Sequence, residues 1–164
     1  MQTSTKSIWL LISAASLAAC GQQTEQAANE ASAPAPTHYK PVASLRDIMR
    51  GPINLATEEY WGSVSIIVDR DGVHENRPED DLEWFEVWSA AMTIAESGNL
   101  LMMPPRLVDE GEWVRLATEL VDVGVKAAQV AAAQDFEGVL SVGEEVYNVC
   151  VECHQTYVPA LPDL

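Results

Sequence analysis

Residues 113–130 read WVRLATELVDVGVKAAQV, and the spacing of their apolar side chains decides the fold class. The apolar residues recur in alternating steps of three and four, which places them on one face of a helix: Trp113, Leu116, Leu120, Val123, Ala127 and Val130. Residues 85–102 repeat these steps with another set: Phe85, Trp88, Met92, Ala95, Asn99 and Met102. The two segments therefore predict two helices, each with one buried face.

Start and stop signals agree with these two helices. Asp80 is followed by Glu83, and Asp109 by Glu112, and both pairs resemble capping boxes at a helix start. Pro104-Pro105 predicts the end of the first helix, because proline cannot continue it. Residues 70–78 are rich in polar and turn-forming residues, so they predict the turn that precedes it.

The flanking segments also carry helical spacing, and no convincing strand alternation is visible. Upstream, one stripe combines Tyr60, Val64 and Ile67, and a shorter piece with Val42, Leu45 and Met49 is broken at Gly51-Pro52. Downstream, Ser141 and Glu144 predict the start of a last helix, which carries Val146, Tyr147, Cys150, His154 and Tyr157. Short links favour antiparallel neighbours. The expected fold is an all-α, antiparallel four-helix bundle whose first helix is interrupted near Gly51-Pro52.

The N-terminal segment has the features of an export signal. Lys6 precedes a short apolar stretch, Ile8 to Leu17, which cannot span a bilayer core of ~30 Å. Leu17-Ala18-Ala19-Cys20 resembles the lipobox of bacterial lipoproteins, which implies lipidation of Cys20 and cleavage before it. The alternative is an ordinary signal peptide with an incidental cysteine. We expect a signal over residues 1–19 and a lipid-anchored, flexible tether over 20–41.

The lipobox resemblance also implies a location. It places the chain facing the periplasm, anchored to the membrane through its lipid. Gly21 stands where Asp would retain a lipoprotein in the inner membrane, so the outer membrane is slightly favoured.

The composition narrows the range of partners. The formal net charge is −16, so nucleic acid is excluded as a partner because a phosphate backbone needs a basic face. A cationic protein would be attracted, although acidity that serves only solubility explains the charge equally well.

Residues 150–154 read Cys-Val-Glu-Cys-His, which is the attachment signature of c-type haem. Two cysteines at i and i+3 share a helix face, so both thiols can join the vinyl groups along one haem edge. His154 then reaches the iron as proximal ligand. A redox dithiol would need a thioredoxin-like βαβ context. A zinc site would need a second ligand pair, and His38 and His74 are too scattered to supply one.

The segment Cys-Val-Glu-Cys-His-Gln-Thr-Tyr within a helical chain resembles the class II c-type cytochromes, the cytochrome c′ group. The resemblance covers about residues 42–158 and implies a four-helix bundle with one covalent haem c in a cytochrome domain at 42–164. Tyr157 matches the family's aromatic position beside the haem, whereas Val158 stands where a basic residue is common. The family places the distal ligand on the first helix, which points to Met49; core filling is the alternative.

Other residues compete for roles around the haem. Met92, Met102, Met103 and His74 are rival distal ligands, each better explained by packing or by a polar turn. Arg46 and Arg50 flank Met49, where either could pair with a propionate or remain solvated. The tryptophans that could pack the haem, or serve as ordinary core, are Trp61, Trp84, Trp88 and Trp113.

The expected function is periplasmic electron transfer with redox proteins as partners, and no enzymatic activity is expected. A homodimer is compatible with the sequence. One alternative is a five-coordinate haem module that binds NO or CO, and another is a structural lipoprotein with a vestigial capacity to bind haem.

Overall fold

A computed structural model describes residues 38–160 of the chain. The predictions for the signal, for Cys20 and for the tether up to residue 37 lie outside the described residues. The described residues from Lys40 onward belong to one compact unit. None of the helices within residues 38–160 has both the length and the apolarity that crossing a membrane requires.

The first helical stretch consists of α1 (Leu45–Ile48), a π turn (Met49–Ile53) and α2 (Asn54–Gly62). Ser44 and Asp47 form a capping box, in which the Ser44 hydroxyl accepts from the Asp47 backbone and the Asp47 carboxylate accepts from the Ser44 backbone. Pro52 lies inside the π turn and has no N–H to donate. The interruption predicted near Gly51-Pro52 is therefore a change of helical type, and the helix continues beyond it.

An antiparallel hairpin follows, formed by β1 (Ser65–Asp69) and β2 (Gly72–Asn76), with Ile67 opposite His74. The sequence did not predict this hairpin, and the helical stripe expected through Val64 and Ile67 is wrong because α2 ends at Gly62. Solvent reaches both faces of this hairpin, so its strands show no polar and apolar alternation. The usable signals were the β-branched run at 66–68 and the Asp71-Gly72 turn, where Gly72 takes φ +132°.

Three long helices complete the unit: α3 (Asp81–Met102), α4 (Glu112–Ala132) and α5 (Phe136–Tyr157). Asp80 caps α3 by accepting from the backbone of Leu82 and Glu83, and α3 ends just before Met103 and the two prolines, as predicted. Two predicted capping boxes are wrong. Asp109 is not the cap of α4, which begins after Gly111 without a side-chain cap, and the last helix does not start at Ser141. The helix begins earlier because Asp135 caps it by accepting from the Gly138 N–H at 3.0 Å.

The helices do not pack evenly. α3 and α4 share the most extensive interface, α4 packs against α5, and α2 packs against α3, whereas α2 and α5 touch only slightly. A set of small buried residues lines the seam between α3 and α4: Ala91, Ala95, Gly98, Ala117, Gly124 and Ala128. The described part of the chain is thus predominantly helical, which confirms the all-α class, with one small hairpin added.

Candidate functional site

A cavity of about 660 Å³ lies between α2, α4 and α5, next to the C-terminal end of α3. This volume falls within the range of roughly 300–1,000 Å³ that is typical of cofactor and ligand sites. Apolar side chains form most of its wall, including Ile53, Leu101, Leu116 and Leu120. The small contact between α2 and α5 gives it room, because the helices on either side are held apart.

The α5 wall of the cavity carries Cys150, Cys153 and His154. Both cysteines are half-buried free thiols, and His154 is exposed at the rim. Burial raises the pKa of the Cys150 thiol, and mainly burial raises that of Cys153 to about 11. Both groups are therefore protonated near neutral pH, whereas a redox-active dithiol depends on a lowered thiol pKa.

The π turn and the start of α2 supply another part of the cavity wall. Met49, the predicted distal ligand, lines the same cavity as the two cysteines and His154. A π turn within a helix is rare and frequently marks a functional site. Thr57, next to it on this wall, is satisfied within its own helix, because its hydroxyl donates to the Ile53 carbonyl at 3.0 Å. Arg46 and Arg50 flank Met49 and are exposed.

The rival distal ligands lie elsewhere in the described part of the chain. None of Met92, Met102, Met103 and His74 is among the residues that line this cavity. The Met102 sulfur accepts a weak hydrogen bond from Thr118 at 3.7 Å. His74 lies on the hairpin, where its Nε2 is 3.2 Å from an Asp69 carboxylate oxygen. Met49 is thus the one of these candidates that the fold brings to Cys150, Cys153 and His154.

Trp113 forms a buried part of the cavity wall, and its position is fixed by hydrogen bonding. Its indole N–H donates to the Leu101 carbonyl at 2.9 Å. Tyr157, predicted to contact the cofactor, packs edge-to-face against Trp113 at 4.9 Å between ring centroids. It supports the wall from behind and is not among the lining residues. Its hydroxyl donates to Asp109, and this bond is the main cause that lowers the pKa of the Asp109 carboxyl.

Trp61 and Tyr147 form the wall on the side where α2 faces α5. The Trp61 indole N–H donates to the Gly143 carbonyl at 2.9 Å, which ties α2 to α5. The two rings meet edge-to-face, with centroids 6.3 Å apart. Trp84 and Trp88, also considered as haem-packing residues, are not among the residues lining this cavity. Sequence reasoning missed Tyr147 as a site residue, although its position three residues before Cys150 on one helix was a usable signal.

Ion pairs hold α4 against α5 near the cavity. Arg115 on α4 pairs with Glu112 and Glu119 on its own helix and with Glu152, which lies between the two cysteines on α5. Lys126 pairs with Glu145 at 2.6 Å further along the same two helices. These side chains are about half exposed, so each pair contributes little to stability, but together they orient α5 relative to α4.

Within residues 38–160, no three His, Cys, Asp or Glu side chains assemble into a group that could hold a metal ion by themselves. The sulfur and imidazole donors that line the cavity are two thiols, one thioether and one imidazole. This set suits a haem whose porphyrin supplies four nitrogen ligands. Comparison with protein families, curated proteins and solved structures finds no match for this chain.

Proposed function

We propose that the chain carries one haem c, attached through Cys150 and Cys153, and acts as a periplasmic electron carrier. One observation carries the proposal: the cavity brings these cysteines, His154 and Met49 to a single apolar space of cofactor size. A hydrophobic shell around a redox centre limits water access and tunes its potential. The proposed role is that of a carrier and not of an enzyme.

The residues of α5 would hold the cofactor in a defined orientation. The two thiols lie one helical turn apart, which matches addition to the two vinyl groups along one haem edge. Each addition joins a thiol S–H across a vinyl double bond, forming one thioether and leaving no by-product. His154 follows directly and would supply the proximal nitrogen. When bound, the haem supplies a one-electron ferric/ferrous couple.

We assign Met49 as the distal ligand. Met49 carries the one thioether sulfur among the residues lining the cavity. A methionine opposite a histidine raises the reduction potential, because a thioether favours the ferrous state. The neighbours of Met49 on the same wall, Ile53 and the internally bonded Thr57, offer no comparable donor.

The apolar wall beside Met49 favours a second candidate function. If the thioether stays off the iron, Ile53, Leu116 and Leu120 leave an apolar distal side around an open coordination position. Such a five-coordinate haem would bind NO or CO.

The Cys150–His154 motif on the last helix supports a proposed relationship to the class II c-type cytochromes. In our proposal the stretch α1–π turn–α2 is the first helix of a four-helix bundle, with α3, α4 and α5 as the other three. The chain would be anchored through lipidated Cys20 to the periplasmic face of a membrane, with the outer membrane favoured. A tether raises the effective concentration near membrane-bound redox partners. Two or three acyl chains would make this anchoring stable.

Optical spectra of the ferric and ferrous holoprotein test the proposed function. Thioether ligation predicts a low-spin ferric spectrum with the weak long-wavelength band of an iron–sulfur bond. A high-spin ferric spectrum, with a ferrous form that takes up CO at once, would replace electron transfer with gas binding. Purified protein without any haem absorbance, although co-expressed with a haem-attachment system, would overturn both candidates.

A further inference from the structure

An exposed aromatic pair lies at the edge of the proposed haem site. Trp61 and Tyr147 line the cavity, yet 38% and 56% of these residues, respectively, are solvent-exposed. The same two residues also line a second cavity of about 340 Å³ between α2 and α5, together with Gly143 and Glu144. Aromatic side chains that only pack a core are usually buried. The exposed aromatic area beside the cavity therefore indicates another role.

Trp61 is held in place rather than loosely exposed. Its indole N–H donates to the Gly143 carbonyl at 2.9 Å, and its ring meets Tyr147 edge-to-face. A Cβ added at Gly143 would lie 3.2 Å from the Trp61 ring, so the glycine lets the indole approach α5 closely. Rigid, amphipathic aromatic residues such as Trp61 dominate the binding free energy at protein interfaces.

Two carboxylates flank this aromatic pair. Glu58 lies three residues before Trp61 on α2, and Glu144 lies three residues before Tyr147 on α5, so each shares a helix face with its aromatic neighbour. Both are exposed, and Glu58 accepts a hydrogen bond from the neutral Asn54 side chain, which leaves its charge in place. Lys126 on α4 is paired with Glu145, the residue that follows Glu144. The surface is therefore aromatic at its centre and acidic at its edge.

We propose that Glu58, Trp61, Glu144 and Tyr147 form the docking face for a cationic redox protein. This inference rests on the proposed electron-transfer function and adds the place and chemistry of the partner. One electron passes between the haem iron and the partner's redox centre, so one changes from ferrous to ferric while the other is reduced. No proton or covalent bond is exchanged. The carboxylates steer a basic surface onto Trp61, and the chain's net charge of −16 adds to the attraction.

Charge-matched variants of the holoprotein test the acidic edge. The probe is a lysine-rich class I c-type cytochrome, with affinity measured by calorimetry and the electron-transfer rate by stopped flow at low salt. Glu58→Gln with Glu144→Gln should weaken binding and slow the rate about tenfold, an effect that added salt removes. Glu96→Gln with Asp122→Asn changes the net charge equally at exposed positions elsewhere on α3 and α4. Equal losses in both double variants would contradict the docking face.

A second pair of variants tests the aromatic centre. Trp61→Leu should raise the Kd for the same probe about tenfold. Trp88→Leu is the matched control, because Trp88 belongs to another aromatic pair, stacked on exposed Phe85, whose residues are not among those lining the cavity. The haem spectrum and midpoint potential of each variant show whether the site itself is intact. An unchanged Kd for Trp61→Leu with an intact haem would overturn this inference and leave the proposed function standing. Protein without haem would instead overturn the function.

Discussion

The seam between α3 and α4 and the space between α2 and α5 are opposites in construction. At the seam, a Cβ added to Gly98 or Gly124 would come within 2.6 Å of the facing helix's backbone. Between α2 and α5, by contrast, the Trp61 indole reaches across to the Gly143 carbonyl, and a cavity of about 660 Å³ lies between these helices and α4. Small residues therefore close one side of the unit, and large ones hold the other side open.

The two regions differ in how much space their side chains leave unfilled. The tight seam buries small side chains and gives a rigid pair of helices, on which the other two elements are arranged. The open side keeps a large apolar space next to two thiols, which is costly for a folded chain unless something fills it. The structure thus separates a closely packed half from a half that contains the cavity.

Removing the two cysteine thiols alters the side of the unit that contains the cavity, and this change should have the largest effect. In Cys150→Ala with Cys153→Ala, we expect haem staining on a denaturing gel to disappear. The folding free energy should fall by more than about 3 kcal/mol, because the cavity loses its filling. Urea unfolding of both proteins measures the loss. Equal stability of variant and wild type would show that the cavity does not depend on a bound cofactor.

Gly124→Ala disturbs the close packing between α3 and α4. The new Cβ would lie 2.6 Å from the Ala95 backbone nitrogen, so the helices must separate, at a cost of roughly 1–3 kcal/mol. Gly62→Ala is the control, because nothing lies within 4 Å of its added Cβ, and it should change stability by less than about 0.5 kcal/mol. Urea unfolding separates the two variants. A Gly124→Ala protein as stable as the control would contradict the close approach.

Met49→Leu removes a thioether sulfur from the cavity wall with little change in packing. The swap nearly conserves volume, so the stability loss should stay below about 1.5 kcal/mol. The loss of the sulfur donor should turn a low-spin ferric spectrum into a high-spin one and lower the midpoint potential. Met92→Leu, at a position that does not line the cavity, is the control. An unchanged spectrum in Met49→Leu would make Met49 a packing residue.

Tyr157→Phe removes a hydrogen bond behind the cavity wall and should have the smallest effect. The Tyr157 hydroxyl lowers the pKa of folded Asp109, so this carboxylate stabilises the fold above its ordinary pKa of about 3.9. That stability is lost as the pH falls through the lowered, folded value. Wild type should therefore lose more stability than Tyr157→Phe on acidification. Parallel pH profiles from urea unfolding would show that the bond contributes nothing.

The long helices could be predicted because apolar residues recur along them at helical spacing. The buried face of α4 was predicted correctly. That of α3 was wrong, because Val87 and Ile94 are buried there whereas Phe85 is exposed. The Asp80 cap and the two prolines bounded α3 correctly, since both act through local backbone chemistry. The hairpin at 65–76 could not be recognised from alternation, because its strands are not buried on one side. The start of α5 was placed six residues late, since Asp135 caps it without the glutamate partner of a capping box.

The site was only partly predictable for a different reason. The Cys150–His154 motif is local, so its place on the last helix follows from sequence alone. The Trp61–Gly143 hydrogen bond joins residues that are 82 positions apart, and no local pattern indicates such a contact. The placement of Tyr157 behind Trp113 likewise depends on how α4 and α5 pack. Sequence therefore indicated the attachment chemistry, and the packing supplied the shape around it.

Mass spectrometry of the peptide containing residues 150–154 shows directly whether haem is attached to this chain. The protein is expressed with a haem-attachment system, treated with a thiol-alkylating reagent under denaturing conditions, and digested. We expect this peptide to carry the mass of one haem, with neither Cys150 nor Cys153 alkylated. A peptide with two alkylated cysteines and no added haem would contradict it.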